Sequence, residues 1–105
     1  MTRIPESDWK IFSELRLLAL ERFSQHVLDE CQQICGGKTP TAHERYGELD
    51  GLLQRRDREM AEAFDDFRRS TADICLGIIW RHGLLTDMEM SRFSLETRSA
   101  VGFEG

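Results

Sequence analysis

A chain of 105 residues that is 40% hydrophobic and 31% charged has enough apolar side chains for one core and too many for a disordered segment. Nineteen acids against fourteen bases leave a net charge of −5. Divided after Arg56, the chain has 8 bases and 9 acids, then 6 and 10, so neither part carries the basic footprint of a dedicated nucleic-acid binder.

Three cysteines, Cys31, Cys35 and Cys75, are too few and too oddly numbered for a disulfide framework. The opening residues Met-Thr-Arg-Ile-Pro-Glu-Ser-Asp contain no apolar signal-peptide core, and apolar runs such as Ile78-Ile79-Trp80 are far too short to cross a bilayer. The expectation is a cytoplasmic protein without a membrane anchor, one helical domain over residues 1–105 whose ends, 1–7 and 102–105, fray.

The first predicted helix covers residues 8–35. Ser7 is placed to cap it, and Asp8 lies in its first turn, where the helix dipole favours an acid. Phe12, Leu15, Ala19, Phe23, Val27, Cys31 and Ile34 then recur every three or four residues, the helical period. Ile11, Leu18, Leu20, Leu28 and Cys35 widen that face, which predicts more than one packing neighbour. Gly36-Gly37 is expected to end the helix through a left-handed glycine, with a short connection to Pro40.

Thr41-Ala42-His43-Glu44 fits a capping box, a threonine cap with glutamate three residues on. The stripe that follows runs through Tyr46, Leu49, Leu53, Met60, Phe64, Phe67, Thr71, Ile74 and Ile78, with a polar interruption over residues 54–59. A single helix over 42–82 would span about 60 Å, too long to pair fully with the first. The surplus calls for a second copy of the chain, or for a break near residues 55–58 with Asp57 as a new cap; a bend or break there is the reading favoured. Arg81-His82-Gly83 closes this segment with cations at the negative helix end and a glycine beyond it. Thr86-Asp87-Met88-Glu89 is a second capping box, opening a short helix to about Arg92. Ser94 is placed to cap a last one over Leu95 to Val101. The fold class that results is all-α: an antiparallel bundle of three main long helices, with a continuous second and third as the alternative, plus short C-terminal helices.

Chemistry is sparse. Cys31 and Cys35 share a helix face, as do His26 and Glu30, but no Cys-x-x-Cys, His-Glu-x-x-His or Glu-x-x-His pattern occurs. A small metal or redox protein built on His26, Cys31 and Cys35 is therefore an alternative, against the plainer reading of the cysteines as small buried hydrophobes. Gly36-Gly37-Lys38-Thr39 lacks the leading glycine of a phosphate loop and follows a helix, so it reads as a cap and turn. No nucleophile elbow is present. Neither catalytic residues nor a cofactor are assigned.

Two surfaces remain. Arg55, Arg56, Arg58, Arg68 and Arg69 form clusters that can contact an acidic protein or phosphates, although acids interleave with them and i,i+4 pairs such as Asp65–Arg69 and Arg69–Asp73 point to a solvated face. Ile74, Gly77, Ile78 and Trp80 lie in a segment apolar on nearly every side, so a neighbour must cover it; Gly77 permits close backbone approach, and the short C-terminal helices or a second subunit provide the cover. The aromatic residues, Phe64, Phe67 and Tyr46 among them, are expected in the core.

The stretches His43-Glu44-Arg45-Tyr46, Ala63 to Ala72, Gly83-Leu84-Leu85-Thr86-Asp87 and Arg92 to Arg98 together resemble a family of small bacterial all-helical proteins with no assigned function. That resemblance implies a bacterial source and an all-helical fold, and no site. Gly83-Leu84-Leu85-Thr86 with Glu89 also resembles short helical oligomerisation segments. The reading that combines these features is a non-enzymatic helical interaction module forming a homodimer. The alternatives are a regulatory adaptor acting through the arginines, with nucleic acid the less favoured target, and the metal protein above.

Overall fold

A computed structural model describes residues 3–38 and 41–104. Among the described residues, five α-helices and a single 3-10 turn form an all-α fold with no strand. The expectations that touched residues 1, 2, 39, 40 and 105 lie outside the described residues.

Helix α1 spans Glu6–Gly36, about 46 Å at the usual rise. It begins earlier than predicted, with Pro5 rather than Ser7 at the cap position and no side-chain cap bond. Proline's fixed φ suits helix entry, and Glu6 and Asp8 supply charge in the first turn. At the other end Gly37 is extended (φ −67°, ψ 152°), so the helix stops without the left-handed glycine expected there. Phe12, Leu15, Ala19 and Phe23 are buried along one stripe.

Helix α2, Ala42–Phe64, is about 35 Å long and returns antiparallel along α1. Glu30 early in the hairpin meets Arg56, and Phe23 meets Phe64. The Thr41 hydroxyl accepts the Glu44 amide at 3.2 Å, as its capping pattern required. The helix runs unbroken through residues 55–58 and stops at Phe64, which corrects the predicted break. The polar interruption does not need one, because Arg56 reaches across to Glu30 on α1 and back to Glu59 on its own helix.

Residues 65–68 turn the chain, and a 3-10 turn at Arg69–Thr71 leads into α3, Ala72–Arg81. The turn corrects one core assignment: Phe64 is buried at 3%, whereas Phe67 is 45% exposed. It also breaks the helical register needed for Asp65–Arg69, and Arg69 donates instead to the Ile4 carbonyl at 2.9 Å.

Helix α3 packs against α1, α2 and α5. It ends at Arg81, with Gly83 at φ +71°, a left-handed turn that favours glycine. Helix α4, Asp87–Met90, carries both halves of the Thr86/Glu89 capping box. Helix α5, Leu95–Val101, is capped by Ser94 and closed by Gly102 at φ +84°.

The core gathers Phe12, Leu15, Ala19 and Phe23 of α1, Ala63 and Phe64 of α2, Cys75, Leu76 and Ile79 of α3, and Leu84, Met90 and Phe93 beyond it. Ile4 and Phe103 join this core, and Phe103 meets Trp80 edge-on at 5.2 Å. The ends expected to fray are thus packed at Ile4 and Phe103. Three other expectations change: Tyr46 is 71% exposed, Ile74 is exposed, and of the three cysteines only Cys75 is buried.

Candidate interaction surface

The two long helices outrun the core. Among the described residues, no member of the core cluster, nor any apolar residue packed against it, falls between Val27 and Met60. Beyond that level α1 and α2 have only each other, so the hairpin projects as a two-helix arm. The shape agrees: extents are 52 × 24 × 20 Å and the radius of gyration is 16.6 Å, against about 13 Å for a compact domain of this length.

Two helices cannot enclose all of their apolar side chains. In the arm Leu52 is buried, and Ile34 and Leu49 are half-buried between the helices. Heptad-like spacing places Val27, Cys31 and Ile34 on one edge of α1, and Ala42, Tyr46, Leu49, Leu53 and Met60 on an edge of α2. These edges meet at the tip, where Ile34, Cys35, Ala42, Tyr46 and Leu49, with the cation Arg45, line a shallow, mainly apolar groove. Leu53 is 39% exposed, and Leu28, on the outer side of α1, is exposed as well. The helix pair thus leaves apolar surface open to solvent along this edge.

At the root of the hairpin a cation lies over aromatic rings. The Arg16 guanidinium lies 4.4 Å from the Phe67 ring centre and 5.8 Å from that of Phe64, and donates to the Phe64 carbonyl. It thereby satisfies a carbonyl at the α2 C-terminus, where a cation is favoured. Trp9 stacks on Phe67 at 4.9 Å.

The five arginines do not form one surface. Arg56 makes the Glu30 and Glu59 pairs at 2.9 and 2.7 Å; hydrogen bonds to these carboxylates raise its pKa and lower that of Glu30. Arg68 holds Asp66 at 2.6 Å, and Arg69 holds the Ile4 carbonyl. Arg55 and Arg58 are exposed on α2. Three of the five are therefore engaged within the chain.

The residues predicted for self-contact are divided too. A side chain at Gly77 would lie in ordinary contact with the Arg81 side chain at 3.4 Å and with Val101 of α5 at 3.9 Å, so α5 of the same chain flanks this position without a close backbone approach. Trp80 is half-buried against Phe103, Ile78 is half-buried, and Ile74 faces outward at 51% exposure. His26 and Cys35 are exposed and Cys31 is half-buried. No group of three or more His, Cys, Asp or Glu side chains stands together to hold a metal among the described residues. No helix among them is long and apolar enough to cross a membrane.

Two polar linkages had no signal in the sequence. Arg22 donates to both carboxylate oxygens of Glu89, at 2.7 and 2.9 Å, and to the Leu84 carbonyl at 2.9 Å. Buried Asp8 accepts from the Ser94 amide and hydroxyl, at 3.0 and 2.6 Å, and from the Thr97 hydroxyl. Burial raises the Asp8 pKa, but the bonds from Ser94 and Thr97 outweigh it and leave the group below its ordinary value. Both linkages tie α1 to the C-terminal segment and fix the root from which the arm projects.

No protein-family model, no curated protein and no solved structure matches this chain. The family resemblance drawn from residues 43–46, 63–72, 83–87 and 92–98 rests on those residues alone.

Proposed function

We propose that this chain is a non-enzymatic helical interaction module that self-associates through the open groove of its α1–α2 arm. The observation that supports this reading is the end of the core at Val27 and Met60 while both helices run on with apolar side chains in step. Two such grooves facing each other make a four-helix bundle, the usual way for two hairpins to hide one apolar edge each. Along α2 the seam from Ala42 to Met60 is about 27 Å long. The self-contact is thus assigned to Tyr46, Leu49 and Leu53 rather than to Ile74, Gly77, Ile78 and Trp80, because Val101 of α5 lies beside Gly77 and Phe103 packs on Trp80.

Light scattering over a wide concentration range tests the reading. The wild type is expected to be dimeric at low micromolar concentration, and Leu53→Glu to be monomeric with its helix content kept. A wild type that stays monomeric at high concentration, or a Leu53→Glu dimer as tight as the wild type, rejects the arm as the contact.

A further inference from the structure

The bend between α2 and α3 contains no residue that enforces it. Residues 65–71, Asp65-Asp66-Phe67-Arg68-Arg69-Ser70-Thr71, include neither proline nor glycine, the residues that most strongly oppose a helix interior. Contacts hold the bend instead: Arg16 on the Phe64 carbonyl and the Phe67 ring, Trp9 on Phe67, Arg68 on Asp66, and the Cys75 thiol donating to the Asp66 carbonyl at 3.5 Å.

The hydrophobic period, meanwhile, ignores the bend. Met60, Phe64, Phe67, Thr71, Ile74 and Ile78 follow one another by alternating steps of four and three. Phe67 and Ile74, the members flanking the turn, are 45% and 51% exposed. A straight helix would put both back on one stripe. It would also bring Asp65–Arg69 and Arg69–Asp73 into i,i+4 register and add the backbone bonds that the turn interrupts.

We infer that residues 65–71 are a domain-swap hinge. In the exchanged form α2 and α3 fuse into one helix, and helices α3 to α5 of one copy dock on the α1–α2 root of a second copy. The occupant must be another copy of this chain, because only that chain offers the surface that fits Phe12, Leu15, Ala19 and Phe23 and presents Glu89 to Arg22. The exchanged form keeps those contacts and differs from the present one at the hinge. This inference rests on the reading that the chain self-associates, but not on the arm, whose groove stays open in the exchanged pair.

The test uses the Arg22–Glu89 pair. Arg22→Glu and Glu89→Arg each break it within one chain, but a swapped heterodimer of the two variants contains one native and one reversed pair. With Leu53→Glu added to both variants to remove pairing through the arm, the mixture after warming and cooling together is expected to contain a mixed dimer by native mass spectrometry and to melt above either variant alone. No mixed dimer and no gain in melting temperature overturns the hinge. If either variant fails to fold, Asp66→Ala/Arg68→Ala serves instead. It removes the bend's ion pair and raises helix propensity, so the exchanged fraction should rise about tenfold; an unchanged fraction overturns the inference. A wild-type dimer that Leu53→Glu abolishes, with no mixed dimer between the two variants that carry Leu53→Glu, leaves the arm standing and removes the hinge. Mixed dimers indifferent to Leu53→Glu do the reverse.

Discussion

Arg22 and Glu89, 67 residues apart, meet in a two-pronged pair with donor–acceptor distances of 2.7 and 2.9 Å. Glu89 also serves the Thr86 capping box, so one carboxylate both starts α4 and fastens it to α1. Its pKa falls to about 2, chiefly because of the hydrogen bond from Arg22, with the Thr86 amide contributing.

Acid should loosen the C-terminal segment first. Glu89 and Asp8 both have folded pKa values below their ordinary ones, so the unfolded chain binds these protons more readily. The stability they confer is full above about pH 4.5, the ordinary value for Glu89, and is lost as pH falls toward 2. A urea-unfolding series between pH 7 and pH 2.5 should show this decline. In Glu89→Gln the decline should be shallower.

Asp8→Asn should destabilise the fold by about 1–3 kcal/mol, since the amide supplies one acceptor oxygen where Ser94 and Thr97 require two. Denaturant unfolding at pH 7 measures it. A loss well under about 0.5 kcal/mol would mean that the Asp8 carboxylate does not anchor α5.

Phe64→Ala and Phe67→Ala should separate sharply. Phe64 is buried against Phe23, and its removal should cost about 3–5 kcal/mol. Phe67 is half in solvent and contributes mainly its stacking on Trp9 and Arg16, so about 1 kcal/mol is expected. Thermal melts of the two variants compare them directly, and similar costs would contradict the bend at residues 65–68.

Gly47→Ala and Gly102→Ala should move stability in opposite directions. Gly47 lies inside α2 with nothing near the position of a Cβ, so alanine should add about 0.5–1 kcal/mol. Gly102 has φ +84°, where an alanine is strained by about 1 kcal/mol or more. Calorimetry on the two single variants shows the sign of each.

What the sequence revealed was local. Thr86 and Glu89, Ser94, and Thr41 with Glu44 stand three residues apart or precede their helices directly, so the caps were readable without the fold. The period of α1 was equally plain. The break was misplaced because the polar run at 54–59 resembled an end of packing, whereas Arg56 spans that gap with Glu30, 26 residues away. Phe67 was assigned to the core because periodicity assumes a straight helix, and the chain turns before it. The links from Asp8 to Ser94 and from Arg22 to Glu89 join residues more than 60 apart, and neither pattern nor propensity records such pairings. Tyr46, Leu49 and Leu53 were visible as an apolar stripe. Their exposure was not, because it depends on how far α3 to α5 extend over the hairpin.

The end of the core at Val27 divides α1 into two thermodynamic regimes within one uninterrupted rod. Amides near Phe12 to Phe23 should exchange with solvent only when the whole fold opens, while those from Leu28 to Gln33 should exchange through fraying of the tip. Any occupant of the groove would close that second route. Hydrogen exchange along this one helix therefore carries its own internal standard: the inner half reports global stability, and the outer half reports occupancy.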